Sequence, residues 1–176
     1  MPTYHRETWV DAPLSDVWAF HATTDGLVEG TPAFVDLSVD AVTDPDGGAD
    51  PDELVEGTRI ELSARPVDAL PRLSWTSVIV DREEGEDRAF FRDRMEDGPF
   101  PLWVHEHRFY GETLASERQG GTAADEQTLV SDRVTYRLPG GQLGDRVAEY
   151  ATLGFDQVFA YRHRRTKERL EADGGG

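Results

Sequence analysis

The sequence predicts an α+β protein in which a curved antiparallel sheet of about seven strands surrounds one long C-terminal helix, with two short helices after the first strand. Most of the chain alternates apolar and polar residues with period two, turn-forming residues separate these runs, and one helical pattern begins near Leu143. Consecutive strands joined by short turns form an antiparallel meander. A strongly bent sheet around a helix would leave a cavity between the two.

The elements follow in order along the chain. The opening strand runs from Tyr4 to about Val10, and Pro13 stands where the first turn of a helix begins. Two short helices follow, with a break near residues 23–26. Further strands are predicted at 34–42, 58–64, 73–80, 89–95, 102–112 and 127–138.

The longest helix is predicted at 143–172, because apolar residues recur there at spacings of three and four. This apolar face comprises Leu143, Val147, Tyr150, Ala151, Gly154, Val158 and Tyr161, and it is widened by Phe155 and Phe159. The basic stretch at 162–169 suits the negative end of the helix dipole.

The chain is predicted to form a single domain over residues 1–176. Residues 43–57 and 115–126 are expected to be flexible acidic or polar loops, and 173–176 a disordered tail. The first loop is rich in aspartate, but its spacing does not match the calcium-binding EF-hand loop, so we expect a solvated acidic surface.

Composition excludes several functions. The absence of cysteine excludes thiolate catalysis, disulfides and Cys-ligated metal sites. A formal charge of −17 argues against nucleic acid as a partner. We find no signal-peptide pattern and no apolar run long enough for membrane insertion, and we expect a soluble cytoplasmic protein. Lys167 is the only lysine among many acidic residues, which is typical of proteins adapted to molar salt.

The stretch 90–110 is the part of the sheet richest in chemically active side chains. It is predicted to form two strands joined by a turn at Gly98-Pro99. Because side chains two apart share a strand face, one face holds Phe91, Asp93, Met95, Trp103, His105, His107 and Phe109. Ionisable groups on an otherwise apolar face predict a pocket with polar anchors.

Five segments carry a family resemblance: APLSDVW, Thr31-Pro32, DRMEDGPFPLWVHEHRF, DRVTYRLPGG and FAYRHRR. With them, nearly the whole chain resembles the START-like (SRPBCC, helix-grip) superfamily, and most closely its uncharacterised polyketide cyclase/dehydrase-like branch. The resemblance implies a helix-grip fold with a hydrophobic ligand cavity. It implies no particular catalytic residues, because activities vary on this scaffold.

Three interpretations of the polar groups remain open. His105 and His107 lie two apart on one strand, so their Cβ atoms are about 7 Å apart, and Asp93 and Asp132 on neighbouring strands are placed to join them. The favoured interpretation is a hydrogen-bonded network that ties the strands together. The second is a polar anchor for a ligand, and the third a metal site of two histidines and a carboxylate. We expect no metal and no cofactor.

The sequence favours binding of a lipid, quinone or polyketide-like molecule as carrier or sensor. The residues expected to line its pocket are Trp75, Phe91, Met95, Phe100, Trp103, His105, His107, Phe109, Tyr136, Tyr150, Gly154 and Val158. The alternative is a cyclase or dehydratase that uses His105 or His107 as general acid or base, with Asp93 and Asp132 as further catalytic candidates. A role in protein interaction alone would instead predict a filled interior and an exposed apolar patch.

Overall fold

The computed structural model describes residues 1–65, 71–114 and 125–171, and the side chains of all of these except 113, 114, 125 and 142–151. The strands are β1 (Thr3–Val10), β2 (Ser38–Thr43), β3 (Arg59–Ala64), β4 (Leu73–Glu84), β5 (Arg88–Glu96), β6 (Leu102–Leu114) and β7 (Asp125–Arg137). The helices are α1 (Leu14–His21), α2 (Thr24–Glu29) and α3 (Gln142–Glu171), with a 3₁₀ turn at Ala33–Val35. The predicted class and order of elements are confirmed.

The strands form one seven-stranded sheet in the order β1-β7-β6-β5-β4-β3-β2. Every neighbouring pair of strands is antiparallel. The sheet is therefore a meander from β2 to β7, and β1 closes its far edge by pairing with β7. Short connections with turn-forming residues join β4 to β5 and β5 to β6, and they explain why these strands lie beside one another.

The register places the chemically active side chains side by side on the inner face of the sheet. Asp93 of β5 pairs with His105 of β6. His107 of β6 pairs with Asp132 of β7. Side chains of directly paired residues point to the same face, so these four groups form a polar row across three strands.

Aromatic packing holds the helices against the sheet. Trp18 of α1 lies against Phe91 and Phe109, with ring centroids 5.9 and 5.7 Å apart. Phe155 and Phe159 of α3 pack on Tyr4 of β1, at 6.0 and 5.2 Å. The two contacts hold α1 over the middle of the inner face and α3 over the edge formed by β1 and β7.

The inner face of α3 differs from the predicted one. Gly154, predicted to face inward, is exposed, and an added Cβ would meet no atom within 4 Å. Val158 and Tyr161 are only half-buried, whereas Phe159 and His163 are buried. Of the predicted face, Phe155 and Phe159 pack on Tyr4 as expected, whereas Gly154 is exposed, so the buried face is rotated toward the two phenylalanines. The pattern misled because the buried face also includes polar residues such as Thr166. The side chains of Leu143, Val147, Tyr150 and Ala151 lie outside the described residues.

The connection between β2 and β3 is better packed than its composition predicts. Asp44 accepts hydrogen bonds from the backbone N–H groups of Asp46 and Gly48, at 2.9 and 2.7 Å, and so closes a turn. Further on, Leu54 is buried in the core, and its N–H donates to the carbonyl of Ala22. The buried side chain of Leu54 thus anchors the second half of this acidic connection to the core. The predicted loop at 115–126 and tail at 173–176 lie outside the described residues, except that 125 and 126 belong to β7.

None of the helices in the described ranges is long and apolar enough to cross a membrane.

Candidate functional site

A buried carboxylate, Asp132, lies at the centre of the polar row. Its side chain is 1 % exposed and accepts a hydrogen bond from Nε2 of His105 at 2.8 Å and from Nε2 of His163 at 2.6 Å. Nδ1 of His107 lies 3.0 Å from the same carboxylate, but at an angle that excludes a hydrogen bond. One carboxylate therefore holds imidazoles from two elements, β6 and α3.

A second carboxylate, Asp93, faces the other edges of the same two β6 imidazoles. Its Oδ2 lies 3.4 Å from Nε2 of His107 and 3.8 Å from Nδ1 of His105. Its Oδ1 accepts a hydrogen bond of 2.9 Å from the hydroxyl of Ser77. The ring centroids of His105 and His107 are 3.6 Å apart. The predicted association of Asp93, His105, His107 and Asp132 is thus present, with both imidazoles between the two carboxylates.

Burial and pairing set the charges in this cluster. Burial alone would raise the pKa of Asp132, but hydrogen bonds from the histidines hold this pKa well below its usual range. The pKa of Asp93 is lowered as well, because contacts with His107 and His105 outweigh its burial. Burial and repulsion from His107 lower the pKa of His105 to about 4. At neutral pH both carboxylates are ionised and His105 is a neutral imidazole.

A further histidine, His21 at the end of α1, lies beside the cluster. It is 2 % exposed, and its Nε2 donates to Oγ1 of Thr166 at 3.2 Å, since this hydroxyl itself donates to the carbonyl of Arg162. Burial, followed by repulsion from Arg162, holds the pKa of His21 well below its usual value. Among the described residues, Nδ1 of His21 and Nδ1 of His163 have no hydrogen-bond partner. Each of these two rings therefore donates through a single nitrogen.

The predicted pocket residues separate into two groups. Trp75, Met95, Phe100 and Trp103 are half-buried on or beside the inner face. Trp103 contacts Phe100 and Phe155, with centroids 5.1 and 5.3 Å apart. Trp103 also lies 6.5 Å from His105 between ring centroids, and Met95 follows Asp93 by two residues on the same face of β5, so these side chains form an apolar rim that borders the cluster. Asp93 is the most exposed member of the cluster, at 13 %. We call this set, Trp75, Met95, Phe100 and Trp103, the aromatic rim.

The other predicted pocket residues lie elsewhere. Phe91, Phe109 and Tyr136 are buried core residues, packed under α1 or under Phe155. Gly154 is exposed and Val158 half-buried. The side chain of Tyr150 lies outside the described residues. The predicted internal cavity stays a prediction, because the side chains of 142–151 lie outside the described residues.

Three residues of the site and its surroundings were not predicted from the sequence. His163 follows the buried Phe159 by four residues on α3, and His21 follows the buried Val17 by four on α1. The i, i+4 spacing from a buried residue is the signal that places both on an inner helix face. Ser77 of β4 is paired with Met95 of β5. Because directly paired residues point to the same face and Met95 is predicted on the inner face, the register of β4 on β5 would have placed Ser77 there too.

Two concavities lie away from the cluster. A groove of about 410 Å³ runs between α1 and the end of α3, and Pro13, Phe20 and Leu170 are among its lining residues. Another, of about 240 Å³, lies on the outer face of the sheet around Phe90 and Tyr110. Neither is the space between the sheet and α3 in which the sequence predicts a ligand.

Comparison with known proteins reveals the fold. No protein-family model matches the chain, and no curated protein matches it. Among solved structures, the protein TTHA0849 from Thermus thermophilus matches with a TM-score of 0.58 and 16% identity, over 98% of this chain and 99% of that one. Norcoclaurine synthase from Thalictrum flavum matches with a TM-score of 0.58 and 15% identity, over 97% of this chain and 94% of that one.

A third similar structure is the di-domain ARO/CYC protein BexL from the BE-7585A biosynthetic pathway. It matches with a TM-score of 0.57 and 17% identity, over 95% of this chain and 47% of that one. At these identities the likeness establishes fold and not activity. The chain has the helix-grip fold of START-like proteins, as its sequence motifs predict.

Proposed function

We propose that this helix-grip protein binds an apolar small molecule, of lipid, quinone or polyketide-like character, between the sheet and α3. The observation that supports this is the aromatic rim beside the partly exposed Asp93. Large apolar side chains that stay half-exposed beside ionisable groups are the composition of a ligand site with an apolar body and a polar anchor. The polar end of the ligand lies toward Asp93 and His105.

The fold supports the same proposal by analogy. A norcoclaurine synthase of this fold has been solved in complex with dopamine and hydroxybenzaldehyde. Those are small aromatic molecules with polar ends, which is the ligand character that the aromatic rim and the polar row favour in this chain. The analogy extends to the class of ligand and to no individual contact.

The test combines extraction with a binding assay. We expect protein purified in molar salt to release an apolar compound, near one per chain, into organic solvent for mass spectrometry. We expect it to bind the apolar dye anilinonaphthalene sulfonate, with at least tenfold weaker binding in Trp75→Ser and Trp103→Ser variants. The matched control is Trp9→Ser, since Trp9 is exposed on β1, 42 % accessible, away from the rim. An empty extract together with equal dye binding in all variants would refute the proposal.

Acid–base catalysis on the bound molecule is the second candidate. The observation in its favour is that Asp132 fixes His105 through Nε2, which leaves Nδ1 directed toward Asp93 and the open end. A carboxylate that orients an imidazole whose other nitrogen faces the substrate is the arrangement of general acid–base sites. A His105→Gln variant that binds the extracted compound but no longer converts it would support a cyclase or dehydratase. Unchanged conversion would exclude His105 from that role.

A further inference from the structure

Three donor atoms of the polar row are spaced for a metal ion. One ligand atom each from Asp93, His105 and His107 lies within 4.8 Å of the other two. The Asp93 Oδ2 atom is 3.4 Å from Nε2 of His107 and 3.8 Å from Nδ1 of His105. Donors bound at roughly 2.0–2.2 Å to one tetrahedral or octahedral ion are about 3.0–3.5 Å apart, so small side-chain movements complete the geometry.

Without a cation between them, Nδ1 of His105 and the oxygen of Asp93 that faces it repel one another. The hydrogen bond from Nε2 of His105 to the carboxylate of Asp132 places the proton of this ring on Nε2, so its Nδ1 presents a lone pair. That lone pair faces the oxygen of Asp93 across 3.8 Å, beyond hydrogen-bond distance. A cation between the two turns this repulsion into coordination.

The surroundings of the three donors match those of metal ligands. Metal-bound histidines generally contact a carboxylate or carbonyl through their other ring nitrogen, and metal-bound carboxylates are hydrogen-bonded in turn. Asp132 lies 2.8 Å from the far nitrogen of His105 and 3.0 Å from that of His107. Ser77 donates to the Asp93 oxygen turned away from the histidines. His105 and Asp93 each have a hydrogen-bonded outer partner, and a small rotation of the His107 ring would bring its Nδ1 into a hydrogen bond with Asp132.

The donor types define the ion. Imidazole nitrogen suits first-row transition ions, whereas Mg²⁺ and Ca²⁺ prefer oxygen donors throughout. Three protein ligands leave coordination positions open. Asp93 is the most exposed of the three donors, and the ring centroid of His105 lies 6.5 Å from that of Trp103 in the aromatic rim.

We propose that Asp93, His105 and His107 bind a divalent first-row transition ion, with Asp132 and Ser77 as its outer hydrogen-bonding shell. The open positions of the ion face the aromatic rim, so that a ligand seated there places its polar end on a Lewis acid. The ion site does not depend on the ligand proposal, because ion binding is measured without any organic molecule.

The experiment uses untagged protein purified without nickel resin or chelator. We expect elemental analysis to find up to one transition ion per chain. After removal of the ion with chelator, titration with Co²⁺ followed by visible absorption, and with Zn²⁺ by calorimetry, is expected to show one site per chain. His107→Gln and Asp93→Asn are expected to lose at least a hundredfold in affinity, and Ser77→Ala about tenfold to a hundredfold.

The matched control is His5→Gln. His5 contacts Glu7 at 3.1 Å on the surface, so it is an exposed histidine–carboxylate pair outside the proposed site, and its loss is expected to leave binding unchanged. The proposal is overturned if the wild type takes up neither ion below millimolar concentration, or if His107→Gln and Asp93→Asn bind as the wild type does. If circular dichroism shows that those two variants do not fold, the Ser77→Ala variant is the deciding one. An affinity of Ser77→Ala for the ion equal to that of the wild type then overturns the proposal.

Discussion

His21 shows at the level of one residue how burial couples the fold to pH. Its ring is enclosed by Phe109, at 5.0 Å between centroids, by Phe20 and by Thr166. The titratable groups around it are Arg162 and His163 of α3, with His107 and Asp132 of the sheet. Burial and Arg162 together favour the neutral ring, so the folded state binds fewer protons at this site than the unfolded chain does.

We therefore expect the stability of ion-free protein to fall as the pH decreases below 6.5, the ordinary pKa of histidine. Between that value and the lower pKa in the fold, the unfolded state takes up a proton that the folded state does not, so acid favours unfolding. One such group changes the free energy of unfolding by at most about 1.4 kcal/mol per pH unit. Urea denaturation at pH 7, 6 and 5 in the presence of chelator measures this dependence.

The comparison that isolates His21 is a His21→Gln variant, which keeps a hydrogen-bond donor for Thr166 but cannot titrate. Its free energy of unfolding is expected to fall less steeply with decreasing pH than that of the wild type. The difference between the two slopes corresponds to the uptake of at most one proton on unfolding. Equal slopes in the two proteins would mean that His21 is protonated equally in the folded and unfolded states.

The polar row was predictable from sequence to the extent that it follows strand alternation. Asp93, His105 and His107 share a face because of the period of two, and the structure gives the same face. Strand alternation could not predict His163, because this residue is on α3. Its position depends on which face of α3 is buried, and apolar periodicity does not identify that face when it contains polar residues. Asp132 was expected beside His105 and His107, but its bond to His163 follows from the rotation of α3 and not from the strands.

Among the elements, order and type follow from local signals, whereas helix orientation depends on tertiary contacts. Turn residues and alternation act over a few positions, so they specify the strands and turns without reference to long-range contacts. In α3, the predicted face was too wide to fix the orientation of the helix, and the contacts of Phe155 and Phe159 with Tyr4 determine which side of it is turned inward. Two glycines test how the helices are packed: Gly26 in α2 and Gly154 in α3.

We expect Gly26→Ala to destabilise the protein and Gly154→Ala to stabilise it. A Cβ on Gly26 would lie 1.8 Å from the carbonyl oxygen of Phe20 at the end of α1, so the two helices must separate, at a cost of about 1–3 kcal/mol. A Cβ on Gly154 meets nothing within 4 Å and removes backbone freedom from a helix interior, a gain of about 0.5–1 kcal/mol. Thermal and urea unfolding of both variants measures the difference.

Each glycine is the control for the other, since both changes add one methyl group to a helix. A destabilising Gly154→Ala would restore the predicted inward face of α3 and contradict the rotation of this helix. A neutral Gly26→Ala would mean that α1 and α2 are not in close contact.

For the whole molecule, the excess of acidic residues sets the response to salt. The formal charge of −17 is distributed over a surface on which many arginines already have partners, such as Arg165 with Glu29 and Arg92 with Glu106. Salt weakens both these pairs and the repulsion among the remaining carboxylates. Exposed pairs contribute at most about 1 kcal/mol each, whereas the repulsion involves the whole net charge, so its screening dominates.

We therefore expect the melting temperature to rise between 0.1 and 2 M potassium chloride, as adaptation to a salt-rich interior would require. The control that separates charge screening from general salt effects is a triple variant, Asp46→Asn, Asp52→Asn and Glu56→Gln, whose side chains are exposed on the connection between β2 and β3. With three fewer negative charges, its melting temperature is expected to be higher in dilute buffer and to rise less with salt. If wild type and variant rise in parallel, the gain comes from stronger apolar burial and not from relieved repulsion. A melting temperature that does not change with salt would contradict adaptation to salt altogether.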